Sequence, residues 1–217
     1  MWDWSFTVEI LPKLLKSLQI TLSATFVAFI LSCVLGLLIA IIKRSSFKPL
    51  VWFVGGIVEF VRSTPLLAQV FFVFYVFPKY GLDLSPFLAG VLTLGVHYST
   101  YLSEVYRSGI EAVPKGQWEA ASVLNFSRLR IWLTIIIPQA IPPIIPIMGN
   151  YLIALLKDTP LLSAITLIEL LGTAKIIGAD FFRYLEPITM AGLIFLVLSY
   201  LFSLLVQQLS TRLNQHL

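Results

Sequence analysis

Glu119-Ala120-Ala121-Ser122-Val123-Leu124-Asn125, continuing through Ser127, Arg128 and Arg130 to Ile135-Ile136-Ile137-Pro138, is a polar interruption in a chain that is otherwise apolar almost throughout. Its capping residues predict two short helices rather than a loop. Pro114 suits the first turn of a helix, where no amide donor is required. Glu119, Ala120 and Ala121 then fall mid-helix, with Trp118 and Val123 supplying an apolar face. Asn125 ends that helix, because Asn is the best tolerated residue after Gly in the left-handed turn that closes a helix. Ser127 caps a second helix that carries Arg128 and Arg130 toward the apolar run beyond. Two adjacent alanines let a partner backbone come close, and the flanking carboxylate and arginines give it electrostatic register, so the segment reads as a helix-in-groove docking surface. An ordinary capped polar loop is the plainer reading of the same residues.

Around this insert, 58% of residues are hydrophobic and 12% charged, more apolar than a soluble core of this length requires. The expectation is an all-α integral membrane protein in one domain, residues 1–217, with the insert at 111–130. A span needs about 20 mostly apolar residues. The runs 20–42, 87–102, 131–156 and 188–206 serve, and 55–77 is counted as a fifth although Glu59 and Arg62 interrupt it. Lys43, Arg44 and Lys48 follow the first span, and Arg107, Lys115, Arg128 and Arg130 lie between the third and fourth. Lys79 is alone in the second-to-third connection. The positive-inside rule then puts the N-terminus outside and the C-terminus in the cytoplasm; Lys157, Lys175 and Arg183 go against it. Trp2 and Trp4 suit an outer interfacial belt, and the first apolar run lacks the pattern of a removable signal peptide. Cys33 stands alone and reads as packing. A net charge of +4 fits such a protein, and no concentrated basic face suggests nucleic-acid binding.

The spacing of the insert resembles the Glu-Ala-Ala signature loop of bacterial ABC-importer permeases, with Asn125 where Gly is usual and Ile137 where Leu is usual. Phe60-Val61-Arg62-Ser63-Thr64-Pro65-Leu66-Leu67, the pattern Tyr101-x-Ser103-Glu104-x-x-Arg107-x-Gly109-Ile110, and Lys157-Asp158-Thr159-Pro160-Leu161-Leu162 are similar to segments of the polar amino-acid type, the histidine/glutamine/arginine permease family. The likeness covers nearly the whole chain. His97-Tyr98-Ser99-Thr100-Tyr101, Ala174 to Gly178 and Phe182 to Pro187 are in turn similar to permease subunits for ectoine and hydroxyectoine. The resemblance implies a multi-pass subunit of the bacterial inner membrane that pairs with an identical or homologous permease among the membrane lipids. A pair of ATP-binding subunits would bind ATP and Mg, this chain holding no cofactor, and an extracytoplasmic solute-binding protein would deliver a small zwitterionic solute. It also implies that Glu119, Ala120, Ala121, Asn125 and Arg128 meet the ATPase.

Ionisable groups within spans are costly and face a bundle interior or water, so each is a functional candidate. Glu59 and Arg62, three apart, can pair on one face of a helix, as a structural pair or as part of a gate, and Pro65 places a hinge beside them, with Thr64 and Gln69 around it as further pathway or gate candidates. Glu104 and Arg107 repeat the spacing at the inner end of the third span, where a structural pair is the simpler reading. Pro138, Pro142, Pro143 and Pro146 predict a broken fourth span that would act as a lever on the insert. Asn150, Lys157 and Asp158 lie toward its outer end as pathway candidates, although Asp158 or Thr159 also suits a helix cap. His97 is either a pathway residue or a buried histidine bonded to Ser99 or a carbonyl. No Gly-x-x-x-x-Gly-Lys-(Ser/Thr) loop occurs, nor His-Glu-x-x-His, Gly-x-Ser-x-Gly or a metal-ligand cluster. A passive channel or a membrane scaffold are the competing readings.

Overall fold

A computed structural model describes residues 2–214. Among them every regular element is helical: α1 (Trp4–Lys43), α2 (Lys48–Ser63), α3 (Leu66–Phe71), α4 (Pro86–Glu111), α5 (Lys115–Val123), α6 (Arg128–Ile131), α7 (Ile137–Asp158), α8 (Leu170–Asp180) and α9 (Leu185–Asn214). Asp3 starts α1 by accepting the amides of Ser5 at 3.0 Å and Phe6 at 3.2 Å, so two donors at the helix start are satisfied. With 40 residues, α1 is roughly 60 Å long, twice the hydrocarbon thickness of a bilayer. The apolar run 20–42 is only its second half. The first half packs Phe6, Ile10 and Leu14 against Leu170, Ala174 and Ile177 of α8 and Ala191 of α9.

Three helical stretches are long and apolar enough to cross a membrane: Trp4–Lys43, Arg128–Ile165 and Leu185–Leu213. A fourth is the pair α2 and α3, bent by 107° between Lys48–Ser63 and Leu66–Tyr80. The run 55–77 is therefore a broken span or a re-entrant turn, not one rod. Pro65 is the cause. It lacks an amide and forces Thr64 into an extended conformation, φ −106° and ψ 142°, as a residue before proline prefers. The Gln69 side chain takes over, donating to the carbonyls of Val61 at 2.6 Å and Thr64 at 3.1 Å.

The run 87–102 departs from expectation differently. It lies in α4, 26 residues long, which is not among the helices apolar enough to face lipid. α4 forms with α1 the most extensive helix pair in the protein. Its Thr93, Ser99, Thr100 and Ser103 are buried, and each hydroxyl donates to a carbonyl three or four residues back, which satisfies it without a partner helix. A helix surrounded by protein can be polar where one surrounded by lipid cannot. Since lipid is as apolar as a leucine side chain, close packing rather than water exclusion holds such helices together. Gly36 of α1 supplies it: a Cβ there would lie 3.0 Å from the Ser99 carbonyl oxygen and 3.0 Å from Leu102 Cβ.

The proline-rich span is not broken. α7 continues through Pro142, Pro143 and Pro146, supported by α4 and α9. The irregularity sits upstream as a π-helical turn at Trp132–Ile136, where Thr134 Oγ1 donates to the Arg130 carbonyl at 2.6 Å and Gln139 Nε2 to that of Ile135 at 2.8 Å. The fourth-to-fifth connection, which carries the basic residues that go against the charge rule, is ordered. Glu169, fully buried, caps α8 through the amides of Leu171 and Gly172. Lys175 donates to Ser163 Oγ at 3.0 Å. Arg183 bridges Asp3 at 3.1 Å and Glu186 at 2.5 Å, so its charge is locally matched.

Candidate functional site: a docking helix and a polar cluster in the bundle

The insert folds as its capping residues require, and α5 ends in a Schellman turn. Phe126 N–H donates to the Ala121 carbonyl at 3.2 Å and Asn125 N–H to that of Ser122 at 3.0 Å. Asn125 adopts φ 57°, the left-handed conformation this motif demands. Ser127 Oγ accepts the Arg130 amide at 3.4 Å and starts α6. Two details of the expected docking face change. Ala121 is 1% exposed and packs inward with Val113, Ile131 and Ile136, alongside Trp118 and Phe126; only Ala120 of the alanine pair points outward. Val123 is 80% exposed, so it does not share Trp118's inward face. One-residue steps of 100° around a helix explain both. The outward surface is Glu119, Ala120, Val123, Leu124, Asn125 and Arg128: apolar contact area edged by one carboxylate and one guanidinium.

At the root of the insert, Glu104 accepts from Lys43 at 2.8 Å and from Arg107 Nε at 2.6 Å, and Arg107 Nη1 reaches Glu111 at 2.6 Å. The expected Glu104 and Arg107 pair is present and extends to four residues, tying the end of α1 to the end of α4.

The second locus lies where the α2/α3 break meets α4 and α7. Glu59 and Arg62 do not pair. Glu59 is exposed and contacts Ser63 Oγ at 3.4 Å, while Arg62 turns inward, donating through Nη2 to the Thr100 carbonyl with its guanidinium 5.0 Å above the Tyr101 ring. Its Nε is buried without a partner. Gln69, held by Thr64 Oγ1 at 2.7 Å, meets His97 Nδ1 through Oε1 at 3.2 Å; Ser99 plays no part. Asp158 accepts from the Tyr98 hydroxyl at 2.6 Å and caps no helix through its side chain, while Thr159 bonds back to Leu156. Asn150 and Lys157 are exposed and outside this network. Arg62, Thr64, Gln69, His97 and Asp158 are thus brought together, and Glu59, Asn150 and Lys157 are not.

Three tyrosines complete the cluster and were absent from the sequence candidates. Tyr101 and Tyr151 rings lie 5.9 Å apart, Tyr98 and Tyr151 6.2 Å, and His97 and Tyr101 5.3 Å. The spacing of Tyr98 and Tyr101 on one helix face was a readable signal; the approach of Tyr151 was not. Beside the cluster is a cavity of about 550 Å³ bordered by Phe60, Val61, Thr64, Gln69, Thr93 and Val96, among other apolar side chains. Chemically the cluster offers one guanidinium with an unpaired donor, one carboxylate and a group of aromatic rings in tilted and edge-to-face contact. That combination suits a small ligand carrying an anionic and a cationic group.

The sequence profile of the family described as "Binding-protein-dependent transport system inner membrane component" matches residues 32–215. The chain is 46% identical over 205 residues, 94% of its length and 89% of the relative's, to the "Probable amino-acid ABC transporter permease protein y4tG" of Sinorhizobium fredii. It is 35% identical, over 94% of this chain and 88% of the relative, to the "L-cystine transport system permease protein TcyB" of Bacillus subtilis. Among solved structures, a chain from "Crystal structure of an amino acid ABC transporter with histidines" superposes with a TM-score of 0.92 at 35% identity, covering 98% of this chain and 99% of that one.

Proposed function

This chain belongs to the family of binding-protein-dependent transport inner membrane components and is a permease component of an ABC importer, and we propose that its cargo is a small zwitterionic solute of the amino-acid class. The observation that carries the proposal is the polar cluster: Arg62, with a buried Nε that lacks a partner, offers a place for a carboxylate. Asp158 and the faces of Tyr98, Tyr101 and Tyr151 offer one for a cation. Relatives named for amino acids and for L-cystine support the class. Ectoine and hydroxyectoine carry the same pair of charges.

In this reading residues 1–217 form one transmembrane domain of five spans: the three apolar helices, the bent α2/α3 pair, and α4 at the centre. The N-terminus is outside and the C-terminus cytoplasmic, since Lys43, Arg44, Lys48, Arg107, Lys115, Arg128 and Arg130 then share the inner side. Residues 111–130 dock on an ATPase subunit through the outward face of α5, with Asn125 fixing the turn. ATP and Mg belong to that partner. Two permease chains, identical or homologous, enclose one pathway in the bacterial inner membrane, and a solute-binding protein loads it from outside. Nucleotide and loaded binding protein each favour particular states of the same element, which is what coupling requires.

The test is reconstitution with the cognate ATPase and solute-binding protein. ATP-dependent uptake of the solute that the binding protein prefers among ectoine, hydroxyectoine and polar amino acids is expected. Glu119→Lys should abolish it while membrane insertion stays intact. Uptake that persists in Glu119→Lys without the ATPase bound would mark a passive channel; no uptake in any condition, with the partners still bound, would mark a scaffold.

A further inference from the structure

The inner end of α1 finishes on two consecutive cations that hold different elements. Lys43 binds Glu104 of α4. Arg44 is the C-cap residue, its amide donating to the Ile41 carbonyl at 3.1 Å, and its guanidinium lies 5.4 Å from the centre of the Trp132 ring. Trp132 opens the π-helical turn that joins α6 to α7 and meets Trp118 of α5 edge to face, with centroids 5.2 Å apart and planes at 84°. Trp118 directly precedes Glu119, and Ala121, three residues on, sits in the same inward core. α5 therefore rests on the membrane body through Trp118, against a ring whose own face is covered by the C-cap residue of α1.

The polar insert is covalently joined only to α4 and, through α6, to α7. At the end of α1, whose most extensive helix contact is with α4, Arg44 lies over Trp132 just beyond the insert, and Trp132 in turn meets Trp118 within it. The aromatic geometry is directional: an edge-to-face pair positions one ring against another, and a cation over the ring face adds a third fixed element. We propose that Arg44, Trp132 and Trp118 form a joint that transmits displacement of the docking helix to α1, with Arg44 and Trp132 as positioning residues that set how much solute is moved per ATP hydrolysed. This rests on the docking reading above. Without the joint, α5 still folds, because its turn and caps are local, and still binds its partner, because its outward face excludes all three residues. Its movement then reaches α1 only indirectly, through α4 and α7, and no longer through the end of α1 itself.

The experiment uses the full complex in proteoliposomes and measures solute imported per ATP hydrolysed, basal ATPase rate and its stimulation by loaded solute-binding protein. The wild-type complex is measured first; absence of ATP-driven uptake or of a bound ATPase there removes the docking reading itself. With wild type active, Arg44→Gln and Trp132→Leu should retain the ATPase subunit and basal hydrolysis while solute per ATP falls at least threefold. Arg44→Lys and Trp132→Phe, which keep a cation and a ring, should recover at least half of the loss. The joint is refuted if solute per ATP is unchanged in Arg44→Gln and Trp132→Leu. It is refuted equally if uptake and hydrolysis fall in proportion as the ATPase is lost, since the stack then only keeps α5 in place.

Discussion

Replacing Asn125 tests whether α5, the proposed docking helix, depends on its terminal turn. Asn125 holds φ 57° and donates to the Ser122 carbonyl at 3.0 Å, while Phe126 donates to Ala121 at 3.2 Å. A left-handed conformation costs an ordinary L-residue roughly 1–2 kcal/mol, more for a branched side chain and nothing for glycine. Asn125→Val should therefore raise the local free energy of α5 by about 1–2 kcal/mol, a factor of about 5–30 in the open population. The side chain at 125 is exposed, so the substitution disturbs no core. Hydrogen exchange of the amides of Leu124, Asn125 and Phe126 should accelerate by that factor in detergent-solubilised protein. Asn125→Gly should exchange as slowly as wild type or more slowly, and ATPase-subunit affinity should follow the same order. Native protection in Asn125→Val, or faster exchange in Asn125→Gly, would show that tertiary contacts and not the turn hold α5.

Three other perturbations follow from the geometry. Gly36→Leu drives a side chain into the Ser99 carbonyl and the Ser103 amide, both backbone atoms, and should lower stability by about 1–3 kcal/mol; Gly192→Ala, with nothing within 4 Å, should raise it by up to about 1 kcal/mol through helix propensity, both read as melting temperature in detergent. Tyr98→Phe removes the hydroxyl on Asp158 and should cost about 1.5–3 kcal/mol as a lost bond to a charged group, with Asp158→Asn/Tyr98→Phe costing less than the sum of the single changes. The Ser5 hydroxyl, the Phe6 amide and Arg183 hold the Asp3 carboxyl well below the usual carboxylate range. Its stabilising effect is complete above the unfolded value of about 3.9 and is lost as pH falls through the lower folded value. Acid titration should accordingly lower the protection factors of the Ser5 and Phe6 amides, taken relative to intrinsic exchange at each pH, and Asp3→Asn should remove that dependence.

What the chain alone determined is what neighbours in sequence can enforce. Pro114, Asn125 and Ser127 delimit α5 and α6 because caps and left-handed turns are settled within a few residues. Long apolar runs mark helices because lipid leaves the backbone of such a segment no partner but itself, although the run 87–102 marked a helix that is largely covered by its neighbours. Pro65 announced a hinge, though not a bend of 107°, at which Gln69 satisfies the freed carbonyls of Val61 and Thr64. Glu104 and Arg107 paired as their spacing allows, whereas Glu59 and Arg62 did not, because Arg62 had a buried carbonyl and an aromatic face on α4 within reach. The prolines of α7 signalled a break, yet the helix continues through them where α4 and α9 pack against it.

Only the tertiary structure decided which polar groups meet. Tyr98 reaches Asp158 and Tyr101 approaches Tyr151 because α4 and α7 cross there, and helix crossing depends on how side chains interlock between the two helices, which no local pattern encodes. The same holds for α4, whose polar face looked like part of an ordinary span until α1 and its neighbours covered it. It holds for Arg44, a plain positive-inside residue by sequence, whose position over Trp132 arises from the angle at which α1 ends beside the insert.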